Sequence, residues 1–112
     1  MKIYHNPRCT KSRETLQLIQ DAGKKVEIIE YLNNPPTPEE LKKVIGLLGI
    51  KPANLLRKGE AIFKENYKGK NFSDDEWINI MIENPKLIER PIVIEDGKAV
   101  IGRPPERVLE LM

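Results

Sequence analysis

The residue most able to do chemistry is the single cysteine, Cys9, in the segment HNPRCTKSR. It lies between a short apolar stretch and a run of helix-forming residues, which predicts a position at the N-terminus of a helix. Backbone N–H groups at such a terminus favour negative charge, and Arg8, Lys11 and Arg13 add positive charge nearby. We therefore expect a nucleophilic thiolate, more populated than in a free cysteine. The alternative is a small buried hydrophobe, the usual role of a lone cysteine, but the cationic turn favours the nucleophile.

Ser12 follows Cys9 by three residues and makes a CxxS arrangement. Its hydroxyl could donate a hydrogen bond to the sulfur or simply cap the helix, and the local sequence favours neither interpretation. One cysteine excludes both an internal disulfide and a structural zinc site built on several thiolates. A redox cycle at Cys9 would therefore need a thiol from another molecule.

Composition limits the remaining classes of function. The 112 residues suffice for one domain, 1–112, and the balance of 39% hydrophobic and 32% charged residues is typical of a globular chain. The formal charge of +2 does not indicate nucleic-acid binding. No apolar run has the length of a signal peptide or a membrane span. We expect a cytoplasmic protein, with reduced thiols and neither nucleic-acid nor membrane partners.

The elements that must position Cys9 begin with a βαβ pattern. A short strand is predicted over residues 2–5 and a helix from Thr10, with Gly23 as its C-terminal stop. The segment KVEIIEYL, which includes Tyr31, then reads as a second strand. Strand, helix and strand within about 30 residues predict that the first two strands are parallel.

A helical insertion is predicted over roughly 37–85. Thr37, Pro38 and Glu40 form the start signal of a first helix that runs to about Gly49. The segment KPANLLRK predicts a shorter helix that ends at Gly59, and SDDE predicts a capping box before a third helix. On that third helix, Trp77, Ile80 and Met81 should pack on one face.

The end of the chain predicts a hairpin and a last helix. Two apolar strands flank Asp96-Gly97, a pair favoured in two-residue turns, and ERVLEL follows Pro104 and Pro105 as a helix. The order is a βαβ unit, a helical insertion and a ββα unit. This order predicts an α/β fold with a mixed four-stranded sheet.

Four segments resemble one known family. The string IYHNPRCTKSRETL is similar to the active-site segment of the glutaredoxin-coupled arsenate reductases, and three further matches surround Arg57 (LLRKGE), Arg90 (ERPIVI) and Arg103 (IGRPPE). They follow in the family's order over essentially the whole chain, which resembles the family's short members. The resemblance implies a thioredoxin-like fold, with a cis peptide bond between Arg90 and Pro91.

The resemblance also implies a reaction. Cys9 would attack arsenate or a similar oxyanion, while Arg57, Arg90 and Arg103 would bind that anion. Glutathione would be the cosubstrate and glutaredoxin the partner protein. Independently of the resemblance, we expect no bound cofactor, no metal and a monomeric chain. Three further residues would support the site: His5, Ser12 and Pro91.

Two other functions compete with this interpretation. Spx-type regulators, which bind RNA polymerase, resemble this fold, but they commonly carry CxxC and lack the same arginine set. A glutathione-linked monothiol oxidoreductase acting on protein disulfides would not need an arginine cluster. The CxxS arrangement and the three arginines favour the reductase.

Overall fold

The computed structural model describes residues 1–112, which divide into two units. The sheet unit comprises Met1–Asn34 and Arg90–Met112, and the helical unit comprises Pro35–Glu89. The predicted helical insertion over 37–85 lies inside the helical unit, and a single domain over 1–112 stays a prediction. None of the helices is both long enough and apolar enough to cross a membrane.

The sheet unit is built on four strands in the order β2-β1-β3-β4. Strands β1 and β2 are parallel, whereas β1 with β3 and β3 with β4 are antiparallel. The predicted mixed four-stranded sheet and the parallel βαβ unit are therefore confirmed. The strands are β1 (Lys2–Tyr4), β2 (Glu27–Ile29), β3 (Ile92–Glu95) and β4 (Lys98–Ile101).

Strand β2 is shorter than predicted. Only Glu27–Ile29 pairs with β1, because β1 itself offers three residues for the ladder. Tyr31 lies beyond the strand and is 1% exposed, so its aromatic ring marks a buried position rather than a strand position.

The hairpin turn between β3 and β4 has the predicted residues. Asp96 has φ 47° and Gly97 has φ 75°, so both central residues adopt the left-handed region. This is the requirement of a two-residue turn whose twist matches the strands, and Asp-Gly meets it at low cost.

One face of the sheet carries a buried apolar cluster. Ile3, Val93 and Val100 are register partners and therefore lie on the same face. Ile19 of α1 (Thr10–Asp21) and Val108 join them in one buried cluster. Burial of each such side chain contributes about 1.5–3 kcal/mol.

The last helical segment differs from the prediction in type. Pro105–Leu111 forms a 3₁₀ helix, in which Val108 is buried and Leu109 is 52% exposed. The predicted apolar face is therefore narrower than the sequence pattern of ERVLEL indicates, because three residues per turn align fewer positions with the core.

The helical unit contains α2 (Pro38–Leu48), α3 (Ala61–Asn66) and α4 (Asp74–Glu83), with 3₁₀ helices at Pro52–Leu55 and Pro85–Leu87. Both predicted capping boxes are present, and α2 ends at Gly49 as predicted. On α4, Trp77 and Met81 are buried, but Ile78 is buried in place of Ile80.

The helix predicted over KPANLLRK is wrong beyond its first turn, and α3 was not predicted. Leu56 leaves the helical path to form a β-bridge with Ile88. The Arg57 N–H donates to Leu87 O at 2.7 Å, and the Glu89 N–H donates to Leu55 O at 2.8 Å. These long-range bonds satisfy backbone groups that a local helix would otherwise have paired.

Candidate functional site

Cys9 is the N-cap residue of α1. Its φ and ψ of −96° and 122° are extended, and its carbonyl accepts the Arg13 N–H at 3.0 Å. The Cys9 N–H donates to Asn6 O at 3.0 Å, which closes the turn between β1 and α1. The side chain is 9% exposed. The predicted position of the thiol at a helix N-terminus is confirmed.

The surroundings of Cys9 favour its ionised form. Burial raises the pKa of the thiol. Three neighbours together lower the pKa by more than burial raises it: the Ser12 backbone N–H, Arg90 through a hydrogen bond and its charge, and Arg103 through its charge. The net pKa therefore lies below the ordinary value for cysteine. Such a thiol carries more of the nucleophilic thiolate at a given pH than free cysteine does.

Arg103 is held beside the sulfur by two hydrogen bonds. Its Nε donates to Arg90 O at 2.7 Å, and its Nη2 donates to Cys9 Sγ at 3.5 Å. The first bond restricts the rotamer of the guanidinium, so the second is made with little further loss of side-chain entropy. Arg90 and Arg103 are thus both brought to Cys9 within the sheet unit.

Both arginines precede prolines in cis peptide bonds. The predicted cis bond between Arg90 and Pro91 is confirmed, and Pro91 is buried. A second cis bond, between Arg103 and Pro104, was not predicted.

Thr15 and Gly102 are site-supporting residues that the sequence analysis missed. The Gly102 N–H donates to Pro91 O at 2.9 Å, and the Thr15 hydroxyl approaches Gly102 O at 3.4 Å. A Cβ at Gly102 would lie 2.5 Å from Thr15 Oγ1 and 2.9 Å from Pro91 Cγ. Only glycine allows this close approach. In the sequence, the position of Gly102 directly before Arg103 in IGRPPE could have indicated its supporting role.

The hydroxyl of Ser12 does not bond to the sulfur, which corrects one of the two interpretations of CxxS. Ser12 Oγ lies 2.6 Å from His5 Nδ1 and accepts the Asn6 N–H at 3.1 Å. These two buried partners occupy the hydroxyl, and the Ser12 backbone N–H is the group that acts on Cys9. Ser12 is not a simple cap either, because its side chain bonds to residues before the helix.

His5 contacts the first turn of α1 through Ser12. Burial lowers the pKa of His5; the Glu30 carboxylate opposes that shift, and the Arg13 guanidinium adds to it. His5 is therefore neutral at pH 7 and presents one ring N–H. It shapes the loop around Cys9 without adding a positive charge.

Arg57 belongs to the helical unit, where two carboxylates bind its guanidinium. Its Nη1 donates to Glu89 Oε1 at 2.9 Å, and its Nε lies 3.4 Å from Glu60 Oε1. A contribution of Arg57 to an oxyanion site stays a prediction.

No group of three or more histidine, cysteine, aspartate or glutamate side chains is placed to hold a metal ion. The chemistry available to the site is that of a cysteine with a lowered pKa, beside two guanidinium groups at a helix N-terminus. Each of these three features favours an anion, and arginine does so with paired donors in a fixed plane.

Known proteins resemble this chain over its full length. An Escherichia coli K12 protein, "Uncharacterized protein YfgD", is 47% identical over 114 residues, which cover 100% of this chain and 96% of that protein. An arsenate reductase of Neisseria meningitidis is 39% identical over 110 residues, or 96% and 94% of the two chains. The solved structure of an arsenate reductase from Vibrio cholerae matches with a TM-score of 0.94 at 46% identity, covering 100% and 98%.

These likenesses confirm the α/β, thioredoxin-like fold that the sequence resemblance implied. The ArsC family matches residues 4–111, which include the cysteine turn and all three arginine segments. This chain belongs to the ArsC family.

Proposed function

We propose that this protein is an arsenate reductase in which Cys9 is the nucleophile and glutathione and glutaredoxin supply the reducing thiols. One observation carries the proposal: the Cys9 sulfur lies within hydrogen-bond reach of the Arg103 guanidinium, and Arg90 also bonds to it. Arsenate reductases among the similar proteins support the choice of substrate.

The two arginines suit a tetrahedral oxyanion. A guanidinium presents paired N–H donors in a plane, which match two oxygens of arsenate at once, whereas a lysine offers a point charge. The N-terminus of α1 adds backbone N–H groups and a partial positive charge. An anion bound here would have its central atom close to Sγ, the geometry that nucleophilic attack requires.

The proposed first step forms a covalent adduct. The Cys9 thiolate attacks As(V), an As–S bond forms, and an arsenate oxygen leaves as water after taking up protons. Arg90 and Arg103 would neutralise the charge on the remaining oxygens. Arsenic stays pentavalent in this step.

The second and third steps reduce arsenic and restore the enzyme. The glutathione thiolate attacks the Cys9 sulfur, and the electron pair of the As–S bond passes to arsenic, which leaves as arsenite, As(III). Cys9 is then in a mixed disulfide with glutathione. A glutaredoxin thiolate attacks the glutathione sulfur and releases Cys9 as thiolate.

External thiols are required because the chain has one cysteine. A CxxC site could resolve the adduct internally, but Ser12 has no sulfur with which to do so. The reaction also needs a reducing compartment, so we expect it to take place in the cytoplasm.

An arsenate-dependent NADPH oxidation assay, coupled through glutaredoxin and glutathione reductase, tests this proposal. The wild-type protein should turn over, and Cys9→Ser should abolish turnover because the chain has no other thiol. Omission of glutathione or glutaredoxin should stop the reaction too. Turnover supported by thioredoxin alone would contradict the proposed resolution of the adduct.

Arginine-to-lysine variants test the oxyanion site in the same assay. A lost paired contact costs about 1.5–3 kcal/mol, so Arg57→Lys, Arg90→Lys and Arg103→Lys should each lower kcat/KM about 10- to 100-fold. Arg107→Lys is the matched control, since Arg107 is exposed and pairs with Glu110 at 3.3 Å. Wild-type kinetics in all three site variants would show that these arginines do not bind the oxyanion.

A further inference from the structure

A cavity of about 460 Å³ opens in the helical unit, and none of the residues assigned to the Cys9 site lines it. Its lining comes from the stretch between Ala53 and Trp77. The volume falls in the range of about 300–1,000 Å³ that is typical of small-molecule sites. No step of the proposed reductase reaction uses this cavity.

An aromatic cluster forms one wall of the cavity. Its members are Phe63, Tyr67, Phe72 and Trp77. Phe72 and Trp77 meet edge to face with ring centroids 4.8 Å apart, and Phe63 stacks on Trp77 at 6.3 Å. Phe63 and Trp77 are each 7% exposed, whereas Tyr67 and Phe72 are half-buried. The half-buried rings therefore offer apolar surface to a planar group that enters the cavity.

Lysines surround this wall. Lys58, Lys64, Lys68 and Lys70 line the cavity and are exposed, and no acidic side chain is part of the lining. The four ammonium groups thus create a positive potential that no carboxylate in the cavity offsets. Lysine is a common partner for phosphate, which it binds as a point charge.

We propose that this cavity binds a nucleoside phosphate, with its base against the rings of Tyr67 and Phe72 and its phosphates among the lysines. A purely apolar ligand would make no use of four cations. An inorganic anion would make no use of the aromatic wall. A ligand with one planar apolar end and one polyanionic end uses both, and the volume suits a mononucleotide.

The single tryptophan of the chain, Trp77, lines this cavity, so its fluorescence can report binding there. We expect ATP to change its fluorescence saturably, with excitation at the red edge of the tryptophan band to limit absorption by the base. ADP and AMP should bind progressively more weakly, because each has fewer charges to pair with the lysines. Adenosine and tripolyphosphate, which each carry one half of the ligand, should both bind more weakly than ATP.

A pair of double variants assigns the binding to the cavity. Lys64→Gln with Lys68→Gln should weaken ATP binding about tenfold or more, because two charges near the phosphates are lost. Lys24→Gln with Lys25→Gln removes the same net charge from exposed positions outside the cavity lining, and it should leave binding unchanged.

Several results would overturn the proposal. These are the absence of a saturable change with ATP, tripolyphosphate binding as tight as ATP binding, and equal weakening in the two double variants. Binding of a single-stranded oligonucleotide without binding of ATP would also overturn it and would assign the surface to nucleic acid. Arsenate turnover is measured separately, so failure here leaves the reductase proposal unaffected.

Discussion

At the scale of single residues, the ionisation of Cys9 is a balance between burial and local positive charge. Burial alone would raise the pKa of the thiol and leave a weak nucleophile. The Ser12 N–H, Arg90 and Arg103 reverse that effect, and the pKa falls below its ordinary value. The lowered pKa of this buried cysteine is due to its neighbours and not to exposure to solvent.

Alkylation by iodoacetamide measures this balance. The thiolate is the reacting form, so a lowered pKa means that the rate reaches half its plateau at a lower pH than for free cysteine. Arg103→Ala removes one of the stabilising charges and should move that midpoint to higher pH. Intact mass is a sufficient readout, since Cys9 is the only cysteine.

The control for this measurement is Arg107→Ala, which removes an exposed arginine that bonds to Glu110 instead of Cys9. Its alkylation midpoint should equal that of the wild-type protein. A wild-type midpoint at or above that of free cysteine would show that burial outweighs the three stabilising groups.

At the scale of elements, α1 and the segment after β4 meet at a contact that only glycine permits. Thr15 lies on α1, and Gly102 directly precedes Arg103. The Thr15 hydroxyl donates to Lys11 O at 2.8 Å, which holds it against the helix and beside Gly102. The separation of these two segments therefore sets where Arg103 stands relative to Cys9.

Gly102→Ala should disturb the site without touching its charges. The new Cβ would lie 2.5 Å from Thr15 Oγ1, so the segments must separate, at a cost of about 1–3 kcal/mol in the free energy of unfolding. As Arg103 moves away, the alkylation midpoint of Cys9 should rise in pH. Urea unfolding and the alkylation profile measure the two effects.

Two further variants separate positioning from simple loss of stability. Adding Thr15→Ala to Gly102→Ala removes the nearer of two obstructing side chains and should return the alkylation midpoint part of the way toward that of wild type, because Pro91 Cγ remains 2.9 Å from the new Cβ. Gly59→Ala adds a Cβ that meets no atom within 4 Å and should change neither measurement. An unchanged midpoint in Gly102→Ala would show that Arg103 does not depend on this contact.

At the scale of the whole molecule, a small apolar cluster on one face of the sheet contributes to the stability of the sheet unit. Ile3, Val93 and Val100 on one sheet face, with Ile19 and Val108 over it, are its buried members. Loss of one of these buried side chains is a large perturbation, since native domains are stable by only about 5–15 kcal/mol.

Ile19→Ala should therefore strongly destabilise the folded protein. The side chain is 0% exposed, and such a truncation costs about 2–5 kcal/mol in the free energy of unfolding. Ile28→Ala is the matched control. Ile28 is 45% exposed, so its truncation should lower the free energy of unfolding by well below 1 kcal/mol. Urea unfolding followed by circular dichroism measures both variants. Equal urea midpoints for the two variants would contradict this prediction.

What the sequence by itself determined is local. The capping box at Thr37 and Glu40, with both hydrogen bonds at 3.1 Å, the Asp96-Gly97 turn and the position of Cys9 before α1 were all predicted from neighbouring residues. Each depends on hydrogen bonds or dihedral angles within a few positions, so the nearby residue types are enough to specify it.

What only the tertiary structure decided is long-range. Arg103 stands 94 positions from Cys9 in the sequence, and a resemblance, not a local pattern, pointed to it. The His5 partner of the Ser12 hydroxyl, the glycine contact at Gly102 and the bridge at Leu56 had no local signal of comparable strength. Such contacts depend on how separate segments of backbone come together, and residue types near each position do not specify that path.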